Sequence, residues 1–224
     1  MTLAIFDLDN TLLAGDSDHA WGAFLVEEGM VDAEEYRKAN DRFYQEYLNG
    51  ELDMLHYLGF ALQPLASHSM EQLLVWREAF MARKIRPMLQ RKATALLDSH
   101  REQGHTLMII TATNRFVTEP IAEAMGIEHL IATEPELVNG RYTGEVAGTP
   151  SFQDGKVTRL DDWLDAYGES LDGAWFYSDS HNDLPLLKKV DNPVAVDPDP
   201  TLETFARDNG WKVMSLRDSE EPGQ

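Results

Sequence analysis

The sequence predicts an α/β protein: a doubly wound, Rossmann-like parallel sheet with a small helical domain inserted after its first strand. Three observations predict it. Short apolar runs of strand length recur at residues 3–6, 106–110, 129–132, 174–177 and 193–196. Most are rich in β-branched or aromatic residues, as buried strands are. Helical segments lie between most of them, at 91–103, 116–125, 157–167, 184–189 and 202–209. Such alternation calls for a parallel sheet covered by helices on both faces. Residues 15–87 break the alternation.

That stretch reads as helix after helix, at 17–28, 33–49, 52–62 and 69–83, with apolar content from Leu25, Tyr36, Phe43, Tyr47, Leu55, Leu58, Leu73, Trp76 and Phe80. The expected organisation is a core domain from 1–14 and 88–218 and a helical domain at 15–87. Asn139-Gly140 suits a two-residue hairpin turn, so a short β-ribbon is expected over 136–146. Trp21, Trp76 and Trp163 fall in helical patterns and read as core residues. The tail at 219–224 (SEEPGQ) is expected to be disordered. No internal repeat or low-complexity segment stands out.

Composition narrows the function. The chain has 224 residues, a hydrophobic fraction of 43% and a formal net charge of -20. An acidic excess of that size repels nucleic acid and anionic membrane. There is no cysteine, which rules out disulfides, thiolate metal sites and a cysteine nucleophile. The opening MTLAIFDLDNTLL lacks the basic stretch of a secretory signal, and no run reaches the roughly 18 apolar residues of a membrane span. A soluble cytoplasmic protein is the expectation.

Four segments carry chemistry. The first strand runs into Asp7-Leu8-Asp9-Asn10-Thr11. Side chains two apart on a strand point the same way, so both carboxylates belong at the sheet edge where open α/β sheets bind ligands. The second strand delivers Thr111-Ala112-Thr113-Asn114, either hydroxyls beside a phosphate-binding helix start or an ordinary helix cap. Lys156 follows Asp154-Gly155 at a helix start, where an ammonium can reach a phosphate as a point charge or can simply face solvent. The strand at 174–177 leads into Ser178-Asp179-Ser180-His181-Asn182-Asp183, a cluster of hard oxygen ligands suited to Mg²⁺.

In order and topology these motifs resemble those of the haloacid dehalogenase superfamily of phosphohydrolases, and the helical block resembles its C1-type cap. Within it the chain most resembles the branch holding phosphoserine and histidinol-phosphate phosphatases. The resemblance implies that Asp7 attacks phosphorus as the nucleophile and that Asp9 protonates the leaving alkoxide. It implies Mg²⁺ held by Asp7, the main-chain carbonyl of Asp9, and Asp179, with Asp183 supporting the metal or Lys156. It places the backbone N–H of Asn10, Thr111 and Lys156 on the transferring oxygens.

For the substrate, a small phosphorylated metabolite, the signal lies in the cap and second motif. Phosphoserine phosphatases carry glutamate nine residues after the nucleophile and Ser-Gly-Gly-Phe at the second motif; this chain has Asp16 and Thr111-Ala112-Thr113-Asn114. The run Thr-Ala-Thr-Asn-Arg-Phe looks like the histidinol phosphatase branch, which implies a role in amino-acid biosynthesis. Asp16 and Ser17, at the cap entrance, are the expected specificity residues; Asp16, Asp18, Glu27 and Glu28 suit a cationic leaving group such as histidinol, while Asp16-Ser17-Asp18 also suits a helix cap. Arg83, Lys84 and Arg86 form a basic cluster that either steers an anion inward or ends a solvated helix. Phosphoserine phosphatase activity, or phosphoryl transfer by a mutase of the same superfamily, is the alternative. A phosphorelay receiver is disfavoured by length and motif order, and a silent binding protein by the intact motifs.

Overall fold

The computed structural model describes residues 2–218; the expected disordered tail lies outside them. β1 (Leu3–Phe6) runs into a helical turn at Leu8–Leu12. Then follow α1 (Ser17–Glu27), α2 (Ala33–Leu48), α3 (Met54–Ala61), α4 (Gln63–Ser67), α5 (Met70–Phe80) and α6 (Arg91–Glu102). The chain returns to the sheet with β2 (Thr106–Asn114), α7 (Arg115–Ala124) and β3 (His129–Thr133), and forms a hairpin from β4 (Pro135–Val138) and β5 (Arg141–Val146). It ends with α8 (Asp154–Tyr167), β6 (Trp175–Ser178), α9 (Leu184–Leu187), β7 (Asn192–Val196), α10 (Pro200–Asp208) and β8 (Lys212–Met214).

The main sheet is parallel, in the order β3-β2-β1-β6-β7-β8. Strand order therefore reverses at β1, and a reversal of this kind opens a crevice beyond the carboxyl ends of the strands. Asp7 is the first residue past the end of β1. Period-two alternation sorts the core into two layers. Ala4, Phe6, Leu107, Ile109, Tyr177, Val194 and Val196 face α1, α5, α6 and α7; Leu3, Ile5, Met108, Ile110, Phe176 and Ala195 face α8, α9 and α10.

The inserted helices divide their apolar residues. Trp21, Phe24 and Phe80 pack with Phe116 of α7 on the sheet's first layer. Phe43 gathers His56, Tyr57 and Phe60 into a separate aromatic group between α2 and α3. Leu55 is no part of it: on the first turn of α3 it is 72% exposed. Two elements were not expected. Pro64 opens the short α4 and divides the region read as one helix and its linker, and β8 is a three-residue edge strand too brief to register as an apolar run. Among the described residues no helix is long and apolar enough to cross a membrane.

A buried imidazole sits under the sheet. His100 of α6 is 3% exposed, its Nδ1 2.8 Å from His105 Nδ1 and its Nε2 2.8 Å from the Tyr177 hydroxyl. Burial, then the nearby His105 and Lys212, lower it to about 4. A proton is thus bound between pH 6.5 and 4 by the unfolded chain and refused by the folded one, so this residue's contribution is complete above pH 6.5 and is lost as pH falls toward 4. Over that interval His100→Gln is expected to flatten the rise of unfolding free energy with pH by up to about 3 kcal/mol. Urea melts of both proteins at pH 4.5 and 7.5 check it; parallel pH profiles would refute it.

Candidate active site

The acid-rich crevice is assembled by the ends of β1, β2 and β6 and the start of α8. β1 stops at Phe6, so alternation carries only as far as Asp7. Asp9 (φ -73°, ψ 134°) and Asn10 (φ 56°) then turn the chain back, and the N–H of Asn10 donates to Gly15 O at 2.9 Å. The turn, not strand alternation, brings Asp9 beside Asp7, and both are buried, at 4% and 8% exposure for Asp7 and Asp9.

Lys156 is the hub. It enters on the first turn of α8, 3% exposed, with Nζ 2.7 Å from Asp7 Oδ1 and 2.7 Å from Asp183 Oδ1. Ser178 donates to Asp183 Oδ2 at 2.7 Å, so this acid is held on both oxygens and serves as the lysine's anchor. Gly155 makes the approach possible: a Cβ there would lie 2.1 Å from the main-chain oxygen of Pro150. Among the described residues the other Asp7 oxygen has only a long contact to Thr11. The Thr11 hydroxyl, 0% exposed, lies 3.5 Å from Asp7 Oδ2 and 3.2 Å from Asp179 Oδ1, and accepts the Asp179 N–H at 3.0 Å. Asp7 and Asp179 therefore share one hydroxyl.

Asp9 is oriented from two sides. Its Oδ1 accepts the Ser17 N–H at 2.6 Å, and its Oδ2 accepts Thr113 at 2.8 Å and Thr111 at 3.4 Å. β2 runs four residues past its expected end, so Thr111 and Thr113 project from one strand face, and Thr113 makes the shorter bond. Three of the expected site residues have partners of their own. The Asn10 N–H, expected on a phosphate oxygen, donates to Gly15 O. Thr111 faces Asp9 and the Thr113 N–H before any ligand. Ser17 is absent from the cavity lining and steadies Asp9 through its amide instead of reading a leaving group.

Beyond the acids lies a cavity of about 550 Å³, counted to its open mouth, walled by Asp16, Asp18, Phe43, Tyr44, Tyr47 and Tyr57 among others. Asp16 also caps α1 through His19 N at 2.8 Å, so both readings of it hold in geometry. Tyr57 donates to Asp18. Glu27 and Glu28 are elsewhere: they pair with Lys84 and Arg83, which favours the solvated helix end over the steering patch as the reading of that basic cluster.

Electrostatics make this crevice hungry for cations. Burial raises Asp7 to about 7 against the pull of Lys156, and Asp9 to about 6. It raises Asp16 and Asp18 each to about 7, and lifts Asp179 well above its ordinary value with help from Asp7 and Asp183. Among the described residues no three His, Cys, Asp or Glu side chains are gathered to hold a metal unaided. Two carboxylates completed by main-chain oxygen, water and substrate oxygens are the donor set Mg²⁺ accepts, so the residues fit that ion.

A model of the haloacid dehalogenase-like hydrolases matches residues 4–188. The chain belongs to that family. This haloacid dehalogenase-like hydrolase is 46% identical over 219 residues to a protein of Neisseria meningitidis serogroup C named histidinol-phosphatase, covering 96% of this chain and 99% of that one. It is 28% identical over 217 residues to a phosphoserine phosphatase of Mycobacterium tuberculosis, covering 96% and 70%. A crystal structure of a protein of unknown function from Bordetella pertussis Tohama I matches the hydrolase with a TM-score of 0.91 and 46% identity over 97% and 100% of the two chains. A phosphoserine phosphatase captured as a phospho-aspartyl intermediate analogue shares the fold, with a TM-score of 0.71 at 17% identity over 96% and 93%.

Proposed function

We propose that this hydrolase is a Mg²⁺-dependent phosphatase that removes the phosphoryl group of L-histidinol phosphate through an aspartyl phosphate on Asp7, in the cytoplasm. The observation that carries the reading is the clamp at β1, where Lys156 binds Asp7 and Asp183 together while Thr11 ties Asp7 to Asp179. Asp7 attacks phosphorus with the oxygen that Lys156 leaves free, the ester P–O bond breaks, and Asp9 gives its proton to the leaving alkoxide. Asp9 then takes a proton from the water that attacks the aspartyl phosphate, releasing inorganic phosphate and restoring Asp7. Mg²⁺ held by Asp7, the Asp9 main-chain oxygen and Asp179 supplies the positive charge that lets a carboxylate approach a phosphate. Lys156 counters the remaining charge, and Thr111 and Thr113 are placed to turn from Asp9 to a phosphate oxygen.

In this reading residues 15–87 are a cap over a core formed by 1–14 and 88–218. Histidinol brings an ammonium and an imidazole. Asp16 and Asp18, raised by burial, gain from a cationic neighbour, and Tyr44, Tyr47 and Tyr57 offer aromatic walls that favour cations and flat rings. The name of the Neisseria relative supports the same choice. Phosphate release from L-histidinol phosphate, O-phosphoserine and sugar phosphates, with Mg²⁺ and with EDTA, tests it. Expected is at least a tenfold preference in kcat/KM for histidinol phosphate, abolished by EDTA; a preference for phosphoserine, or a flat profile, overturns the substrate assignment.

A further inference from the structure

One contact joins the inserted helices to the acid loop after β6. Gly50, in the turn between α2 and α3, has a φ of +72°, and a Cβ there would lie 2.7 Å from His181 Nε2. Only glycine combines that backbone with so close an approach. His181 is itself held from behind. Its N–H and its Nδ1 both meet Asp199 Oδ2, at 2.6 and 2.8 Å, and the carboxylate assigns the Nδ1 proton. Asp199 also donates its own N–H to the Asp179 carbonyl at 2.8 Å, and its Oδ1 caps α10 through Thr201 and Leu202. One residue thus fixes the imidazole and the start of α10 through its carboxylate and the main chain of Asp179 through its amide. Tyr47, three residues before Gly50, lines the cavity, and its ring centroid lies 6.3 Å from that of Phe152, just before α8.

We infer that the His181–Asp199 pair is the seat on which Gly50 brings the cap to rest, making His181 a positioning residue that sets how closely α2 and α3 cover the leaving group. Among the described residues His181 hydrogen-bonds to Asp199 and not to Asp7 or the acids of the leaving-group cavity; it acts through the cap. The inference rests on the reading of residues 15–87 as a cap over a phosphatase site.

Four variants test it: Gly50→Ala, His181→Ala, the double variant, and Gly29→Ala. Gly29 has nearly the same backbone (φ +68°) with nothing within 4 Å of its Cβ, so it reports backbone strain without the collision. The readouts are hydrogen exchange of residues 47–53 and 179–184, and kcat and KM for L-histidinol phosphate and for acetyl phosphate, whose leaving group barely touches a cap. Gly50→Ala is expected to raise exchange in both segments and to cost about tenfold to a hundredfold in kcat/KM on histidinol phosphate, mostly through KM. The loss on acetyl phosphate stays far smaller. His181→Ala moves the same ratio in the same direction, and adding it to Gly50→Ala recovers several-fold, because the methyl enters space the imidazole vacates. Equal effects of Gly50→Ala and Gly29→Ala, a double variant no better than Gly50→Ala, or equal losses on both substrates would each overturn the seat. If the parent protein hydrolyses neither substrate, the phosphatase reading fails; joint loss of protection in the two segments then sustains the seat, and its absence refutes it.

Discussion

Asp7→Asn is expected to release no phosphate above background, a loss of at least ~10⁴-fold, while unfolding no more easily than the parent protein. The two halves of this result come from one residue. As nucleophile Asp7 has no substitute: Asp9 is held on both oxygens by Ser17 and Thr113, and Asp183 on its own two by Lys156 and Ser178. As a buried acid it is costly. Burial raises it to about 7 even with Lys156 at 2.7 Å, so the neutral, isosteric amide relieves repulsion from Asp9, Asp179 and Asp183 and still offers Lys156 an oxygen. A phosphate assay and a thermal melt on the same preparation check both halves. Residual Mg²⁺-dependent turnover would place the nucleophile elsewhere.

Lys156→Ala is expected to invert that pattern, crippling turnover and also destabilising the fold by about 3–5 kcal/mol at pH 7.5. The lysine is the cation between two carboxylates that are 4% and 2% exposed, and its removal leaves both charges unpaired in the interior. Acid should narrow the gap. Burial already raises Asp7 to about 7 with Lys156 in place; without the lysine it binds a proton still more readily in the folded state than in the unfolded chain, so the deficit shrinks as pH falls through 7 and widens as pH rises. Urea unfolding at pH 5 and 8 reads this directly. A variant as stable as its parent at pH 8 would mean that the Lys156 contacts to Asp7 and Asp183 contribute nothing to the fold.

Much of this was legible from the chain because the fold places chemistry at strand ends. The runs at 3–6 and 174–177 announce buried strands, so Asp7 and Asp179 could be assigned to one crevice before any coordinates, and Lys156 was marked by its place at a helix start. Where expectation failed, the cause is local geometry that residue types do not display. The positive φ of Asn10 turns its amide to Gly15, and the added length of β2 makes Thr113 the closer partner of Asp9. Thr11 stood in the first motif without a role, since only the convergence of β1 and β6 sets its hydroxyl between two aspartates. Tyr57 and Asp18 lie 39 positions apart, and Glu27 and Glu28 find Lys84 and Arg83 more than fifty residues on; no spacing rule announces such partners.

The most direct measurement is chemical capture of the phosphoenzyme. Protein quenched during turnover of L-histidinol phosphate and reduced with borohydride converts an aspartyl phosphate to homoserine, which peptide mass mapping locates. Homoserine at position 7, dependent on Mg²⁺ and absent from Asp7→Asn, is the predicted result. Turnover with no modified aspartate, or with the label at Asp9, Asp179 or Asp183, would contradict it.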